Sequence, residues 1–518
     1  MTRIALADLQ GGKGDRGEVG AQGLPGVNAV ANDNATAGYV ATTGTSATKS
    51  ALDARYSRIG QQVLNARDPQ WAIVADGSDE TAKIQTFLDA AAGQVAYFPP
   101  GTYTLTMVNG RTGTTIMGAG RGATTFVILG NDSSTNNRIK LYDISDVTLR
   151  DFTITETNVL RRVGSFGPIS GSNVVRLKVE NVEVDGSSGT GMHFMLMKEL
   201  IVTGCYIHNT MADGLHIQRG SQNVIVSNNI INDNGDDAIG FVSHAEATAG
   251  YCMDIVITGN ILGPTKTDYI GAGIALIGII GANVTGNQIT GTASGGIRIT
   301  SIGEDSEGFA VVGNIVVTGN RISTVGFYAG LVAGQLTSGI DIFNARNVLV
   351  ANNLINAAYR NGVTVSQCSI DVSIKNNVIN KPGSRGVFVA TLRQVGLYLE
   401  MWTHPRLSDG RAKSYVSHHN LTISGNEINS PANGGITAQG ADVTSVIEGL
   451  TLFHNRIRSP NVSNATGVVG ILTTNTSGLF STLNDVGASS GTNAITAYQA
   501  SALTAVTLNA SNYSTPAF

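Results

Sequence analysis

The sequence predicts an all-β fold, a single-stranded right-handed parallel β-helix that occupies most of the chain. Three observations predict it. Two short motifs recur in fixed order, several consecutive copies lie 23 or 24 residues apart, and the segments between turns alternate apolar and polar residues. A period of this kind means a solenoid, and period-2 alternation makes its segments strands with one buried face. No segment carries a 3.6-residue pattern long enough for an α-solenoid.

Composition agrees. A chain of 518 residues is longer than one compact core usually holds, whereas a repeat grows in one direction without that limit. Charged residues make up 14% and aromatics 6%, while glycine reaches 64 residues, a balance that favours short strands and tight turns. The formal net charge of −4 gives no sign of electrostatic capture of nucleic acid or an anionic membrane. The opening MTRIALADLQ has no apolar run and no 18-residue apolar stretch follows, so neither a signal peptide nor membrane insertion is expected. Cys205, Cys252 and Cys368 lie far apart without metal-type spacing and read as buried free thiols. No cofactor and no metal are expected.

Residues 1–66 read as an attachment region. Glycine stands at 11, 14, 17, 20, 23 and 26 in GGKGDRGEVGAQGLPGVN. That step of three, over 11–28, is the collagen signature, because only glycine fits at the axis of three wound chains. It implies a homotrimer; a flexible glycine-rich linker is the alternative. A linker over 28–45 and a short helix over 46–57 follow. Residues 67–118 read as a capping helix and first strands. Ser78 or Asp79 caps a helix whose Ile84, Phe87, Leu88 and Ala91 share one face. Val95 to Phe98 then form a strand and Pro99-Pro100-Gly101 a turn. A cap is needed because a bare terminal coil exposes apolar core and unpaired strand edges.

Residues 119–470 carry the β-helix proper. In the first register an alternating strand is followed by Asn, one residue, then an aliphatic. The column runs Asn181, Cys205, Asn229, Asn260, Asn287, Asn320, Asn353, Asn377, Asn426 and Asn455. Stacked asparagines predict an amide ladder, with Cys205 at a small inward position. The second register is glycine, aliphatic, any residue, apolar, as in DGLHI, GGIRI and SGIDI. Longer steps mark loops inserted at 243–254, 301–311, 324–337 and 390–419, which carry Tyr251, Glu304, Glu307, Tyr328, Trp402, His404 and Arg411. Aromatics on such loops either stack on sugars or pack under the loop. Residues 471–518 read as a β-rich tip or trimerisation segment, since Asp485 is the only charged residue from 459 onward; plain disorder is the alternative.

The second register sets side chains in columns. Just before its glycine stand Thr190, Asp213, Asp237, Ala272, Gly295, Ser338 and Asn361. Two residues after it, pointing outward, stand His193, His216, Gly240, Ala275, Arg298, Asp341 and Thr364. Asp213 and Asp237 thus occupy one place on adjacent coils, roughly 5 Å apart, with Asp236 beside them. Crowded carboxylates raise one another's proton affinity, which lets one stay protonated while its neighbours ionise. Glycoside hydrolysis needs that division between acid and base, and an inverting enzyme wants carboxyls about 6.5–9.5 Å apart. Asp213, Asp236 and Asp237 are the candidate catalytic set, with His193, His216, Arg298 and Asp341 as candidate substrate-binding residues. The alternative is turn chemistry, in which the aspartates only satisfy backbone N–H groups.

Residues of about 205–303, with MADGLHI, SQNVIVSNNIINDNGDDAIGF, GAGIALIG and GGIRIT, resemble the polygalacturonase-type glycoside hydrolases. The resemblance implies Asp236 as acid, Asp213 and Asp237 as water-activating bases, and Arg298 as substrate-binding. Ala272 stands where that family has His and Thr300 where it has Lys. Both lost groups bind uronate there, which leaves an altered substrate or a site that only binds. AIVADGSDETAKIQTFLDAAAGQVAYFPPGTYTL resembles the opening of the pectate-lyase-like (pectin-lyase-like) β-helices common in phage tailspikes. The whole plan resembles a trimeric phage tailspike or minor tail protein. That resemblance implies a virion protein that recognises and hydrolyses a host cell-surface polysaccharide and joins tail or baseplate proteins through its N-terminus. A non-catalytic receptor-binding tail protein is one alternative. A polysaccharide lyase, with the aspartates on Ca²⁺ and Arg298 as base, is the other.

Overall fold

The structure is a computed structural model. It describes residues 62–129, 138–157, 159, 162, 166–243, 250–266, 271–300, 312–327, 337–366, 369–390, 418–440, 447–460, 469–487, 496–504, 507–508 and 513–514. The collagen-like triplets 11–28, the linker and the short helix 46–57 lie outside the described residues, as do Cys368, Glu304, Glu307, Tyr328, Trp402, His404 and Arg411. Val63–Phe518 form one compact unit.

This unit is a right-handed parallel β-helix. Through the middle of the described residues each coil contributes one strand to each of three parallel stacks, while in Ser145–Glu156 and Val175–Ser187 one strand runs through two of them. Leu215–Gln218, Ile239–Val242, Ile274–Ile277 and Ile297–Thr300 stack in the first sheet. Gln222–Ser227, Cys252–Thr258 and Ile279–Thr285 stack in the second. Ile230–Asn232, Ile261–Leu262 and Gln288–Thr290 stack in the third. Period-2 alternation sends Val and Ile inward from all three sheets into one continuous core. The glycine of the second register is a packing requirement. A Cβ on Gly214 would lie 2.3 Å from Cγ2 of Ile231 in the next coil, and on Gly296 2.5 Å from that of Ile322.

The α-helix Thr81–Ala90 buries Ile84, Phe87 and Leu88 over the first coils. Its N-cap is Glu80, one residue beyond Asp79 and two beyond Ser78, the expected caps. The buried Glu80 carboxylate instead accepts from the N–H groups of Val74 and Ala75, while Asp79 accepts from that of Thr81 at 3.0 Å. Beneath the helix, Trp71, Phe87, Phe98, Phe126 and Phe152 meet edge to face in series, with centroids 4.9–5.3 Å apart. Coil pairing extends beyond 119–470 at both ends. Val63–Asn65 pairs with Val95–Phe98, and Val469–Ser477 pairs with both Ile436–Gln439 and Thr496–Thr504.

The amide ladder runs through Asn229, Asn260, Asn287, Asn320, Asn353, Asn377, Asn426, Asn455 and Asn484. Each Oδ1 accepts the backbone N–H and the side-chain Nδ2–H of the Asn one coil back, as Asn320 does for Asn287 at 3.0 Å each. The remaining Nδ2–H reaches a backbone carbonyl, for Asn320 that of Val284 at 2.9 Å. Cys205 heads the ladder, its N–H on Asn229 Oδ1. Asn181 is a correction. Val182 pairs with Phe152 in the coil before Cys205 and is fully buried, so Val182 occupies the ladder column. Asn181 sits one residue earlier at φ +49°, in the left-handed corner column it shares with Gly204 and Asn228. Cys205 and Cys252 are buried free thiols.

Asn320→Ala strands two buried donors of Asn287 and the Val284 carbonyl. It should destabilise the chain by about 2–5 kcal/mol, read from denaturant unfolding. A loss below about 0.5 kcal/mol would show that the ladder is not structural.

Candidate active site

The third sheet hands the chain to the first at a sharp corner, and the acids stand there. Thr210 Oγ1 donates to the Ala212 carbonyl at 2.8 Å and shapes the turn before Asp213. One coil on, the corner carries Asp236 and Asp237. Register pairs His193 with His216, His216 with Gly240, Gly240 with Ala275, Ala275 with Arg298, and Arg298 with Asp341. Gly240 seats the acid of the coil before it, since a Cβ there would lie 2.8 Å from Asp213 Oδ2.

Three carboxylates converge. One oxygen from each of Asp213, Asp236 and Asp237 lies within 4.8 Å of the other two. That is the spacing of one oxygen from each carboxylate and it lies below the separation usual for inversion, so it does not by itself identify an inverting enzyme. Each buried aspartate divides its oxygens between structure and site. Asp213 Oδ1 accepts from the Asp237 N–H at 3.2 Å, and Asp237 Oδ1 accepts from the Ala272 N–H at 2.7 Å. Turn chemistry therefore uses one oxygen of each. Asp213 Oδ2 meets His216 Nδ1 in a short contact, and Asp236 Oδ2 meets Arg162 Nη1 at 2.7 Å.

The electrostatics follow from burial. Burial raises the Asp236 carboxyl above the usual carboxylate range; the Asp213 charge adds to this and Arg162 and Arg298 oppose it. Burial also raises Asp237, against Arg298 and with the help of Asp236 and Asp213. The pair thus holds a proton at a pH where an ordinary carboxylate has lost it. Burial opposes charge on His216, but Asp213, Gln218 and Asp237 together outweigh it and raise the imidazole. An acid that keeps its proton beside an imidazole-bound carboxylate can protonate a leaving oxygen and activate water.

The other expected site residues divide. His193 does not reach solvent. It is 1% exposed, lies under Phe166 at a centroid distance of 4.8 Å and stacks on His216 at 5.3 Å. Burial, with His216 and two arginines nearby, holds it neutral, down to about 3. Gln218 Nε2 lies 3.0 Å from its Nε2, and the His193 ring packs against that of His216. Arg298 donates to Ser294 Oγ at 2.7 Å, and its charge reaches Asp236, Asp237 and Asp341. Asp341 is buried, which pushes it up to about 6, and its Oδ2 accepts from the Ser338 N–H. It braces its own turn two coils from Ala275 and faces Arg298 across the coil step.

Three residues of the site are not singled out by the repeat pattern. Arg162 belongs to the connection between Glu156 and Ile169, where no register applies; its only sequence signal is an Arg-Arg doublet in a chain poor in charge. Gln218 sits in register but resembles any polar strand residue. Lys266 reaches the corner from the following coil, its Nζ donating to the Thr210 carbonyl at 2.9 Å. The three aspartates lie close enough to share an ion, but their donors are largely committed. His216, Arg162 and two backbone N–H groups already hold four of the six oxygens. Calcium takes six to eight oxygens, so the calcium of a lyase would compete here with those four contacts.

The raised Asp237 has a consequence for stability. The folded state holds that proton more tightly than the unfolded chain, so stability falls as pH rises above the ordinary carboxylate range. Asp237→Asn keeps an oxygen for the Ala272 N–H and removes the charge. It should melt higher than the parent at pH 8 and no higher at pH 4. An equal shift at both values would contradict a buried-charge penalty.

Residues 168–307 match the family model described as a right handed beta helix region. No curated protein matches the sequence significantly. Among solved structures, the chain is similar to the catalytic domain of a GH87 alpha-1,3-glucanase in complex with nigerose. The identity is 19%, the TM-score 0.51, and the match covers 71% of this chain and 65% of that one, just under two thirds. It is also similar to an exopolygalacturonase from Thermotoga maritima, at 10% identity, TM-score 0.47, and 71% and 91% coverage. A mannuronan C-5 epimerase A-module from Azotobacter vinelandii matches at 17% identity, TM-score 0.44, and 82% and 100% coverage. What this chain shares with them is the right-handed parallel β-helix.

Proposed function

We propose that this chain is a phage tailspike that binds a host cell-surface polysaccharide and hydrolyses it. One observation carries the reading: carboxylates from two adjacent coils converge on one corner, two of them raised, one held by Arg162 and one by His216. Hydrolysis needs a protonated acid for the leaving oxygen and a carboxylate for water. In this reading the one proton held by the Asp236–Asp237 pair sits on Asp236, the most exposed of the three, which supplies the acid, while Asp213 and the ionised Asp237 flank the water. Arg298, whose charge acts on both Asp236 and Asp237, is the substrate-binding residue of this reading. The glucanase of like fold acts on a neutral glucan by its printed name, which agrees with a polysaccharide as substrate. The glycine triplets support a trimer on a virion, attached to tail or baseplate proteins through the N-terminus.

A second reading has its own support. Asp213 and Asp237 each satisfy a backbone N–H of the next coil, as turn residues of a non-catalytic receptor-binding protein would.

Polysaccharide from the envelope of a susceptible host separates these readings. The parent chain should shorten it and release reducing ends, at a rate unchanged by chelator, and Asp236→Asn should lower that rate at least about a hundredfold. No shortening of any host polymer would favour the receptor reading. A product absorbing through a new C=C bond and abolished by chelator would overturn hydrolysis in favour of a lyase.

A further inference from the structure

The same corner changes sign farther along the rod. The column that holds Asp213 and Asp237 continues through Ala272, Gly295 and Ser338 to Asn361 and Arg385. Asn361 keeps the structural half of the aspartate role, its Oδ1 accepting from the Arg385 N–H at 3.1 Å. The acidic half is gone. In its place a cleft of about 730 Å³ is lined by Arg360, Lys381 and Arg385 together with Phe327, Tyr359 and Phe388.

The cleft is built rather than incidental. Gly383 lets the backbone close on Tyr359, whose carbonyl would lie 1.9 Å from an added Cβ. Phe327 and Tyr359 meet edge to face at 5.8 Å and remain 51% and 52% exposed. The Arg385 guanidinium lies 5.0 Å from the Phe388 ring centroid, which fixes both groups. Among the described residues, none of the three cations forms an ion pair with a carboxylate; Asp341 feels Arg360 from its buried place without contacting it. Three cations without an ion-paired carboxylate, in a chain of net charge −4, suit an anionic ligand. Exposed rings beside them suit the apolar faces of pyranoses.

We propose that this cleft binds an acidic polysaccharide, its carboxylate or sulfate groups on Arg360, Lys381 and Arg385 and its sugar rings on Tyr359 and Phe327. The cleft lies four to five coils from Asp237, roughly 20 Å along one corner. One polymer lying along that corner spans both places, with its negative groups held at the cationic end and its scissile bond at the acids. The inference rests on the reading of the chain as a polysaccharide-binding protein and does not depend on hydrolysis. It also offers an acidic substrate a cationic contact in place of the groups lost at Ala272 and Thr300.

The test uses the full chain carrying Asp236→Asn, so that ligand is not consumed. It is titrated with oligomers of polygalacturonate, hyaluronate and polysialate, each beside its carboxyl-reduced neutral form, and with dextran sulfate, dextran and a single-stranded oligonucleotide. At least one acidic polymer should bind tenfold or more tighter than its neutral form, and the carboxylate and sulfate arms identify the anion. Arg360→Gln with Lys381→Gln should remove that preference, and the exposed Lys381→Gln alone should weaken it. Tyr359→Ala should weaken acidic and neutral forms alike. Equal affinity for every acidic and neutral pair would overturn the proposal, as would a preference that survives the glutamine substitutions. Oligonucleotide binding as tight as the acidic sugars, through the same residues, would mark a general polyanion surface and overturn it too. Because the readout is binding, the failure of hydrolysis leaves this result standing.

Discussion

Parallel backbone hydrogen bonds between successive coils impose a step of about 4.8 Å along the rod, and every column of side chains inherits it. Whatever residue type recurs at one position of the coil is thereby stacked on itself. Buried asparagines become a ladder in which each amide is satisfied by its neighbours. Glycines become a seam along which the next coil's isoleucines pack. Aspartates at one corner become a cluster of charge that isolated turns would never bring together. The step leaves the protein no freedom to relieve that crowding except through protons and cationic partners, and His216 and Arg162 are those partners.

This explains why so much of the molecule is legible in its sequence. A fixed step converts spacing along the chain into distance in space. The stacking of Asp213 over Asp237, the place of Gly240 beside His216 and the pairing of Arg298 with Asp341 all follow from counting residues. Where counting fails, a physical cause can be named. VENVEV offers an asparagine one place from the ladder column, and only burial of Val182 shows that Asn181 belongs to the turn. His193 points outward as its register requires, yet Phe166 from a connection outside the repeat covers it. Arg162 comes from the same connection. Residues brought to a site by irregular segments obey no period, and a pattern built on the period cannot find them.

The corner also shows how one structural device serves two chemistries. An acceptor oxygen at the column position satisfies the next coil's N–H whether it comes from Asp213, Asp237 or Asn361. The second atom of the same side chain is then free to vary. Carboxylate oxygens fill that place at one end of the corner, and amide and guanidinium groups near the other. The turn requirement and the site are therefore not rival explanations of these residues, because they use different atoms.

The central claim is that the coil step assembles Asp213, Asp236 and Asp237 into one site where a glycosidic bond is broken. A crystal structure of the Asp236→Asn chain soaked with oligosaccharide cut from the host polymer tests it most directly. The account predicts a glycosidic oxygen within hydrogen-bond reach of residue 236, with a water between Asp213 and Asp237. An oligosaccharide bound wholly elsewhere, with the corner closed to it, would contradict the claim.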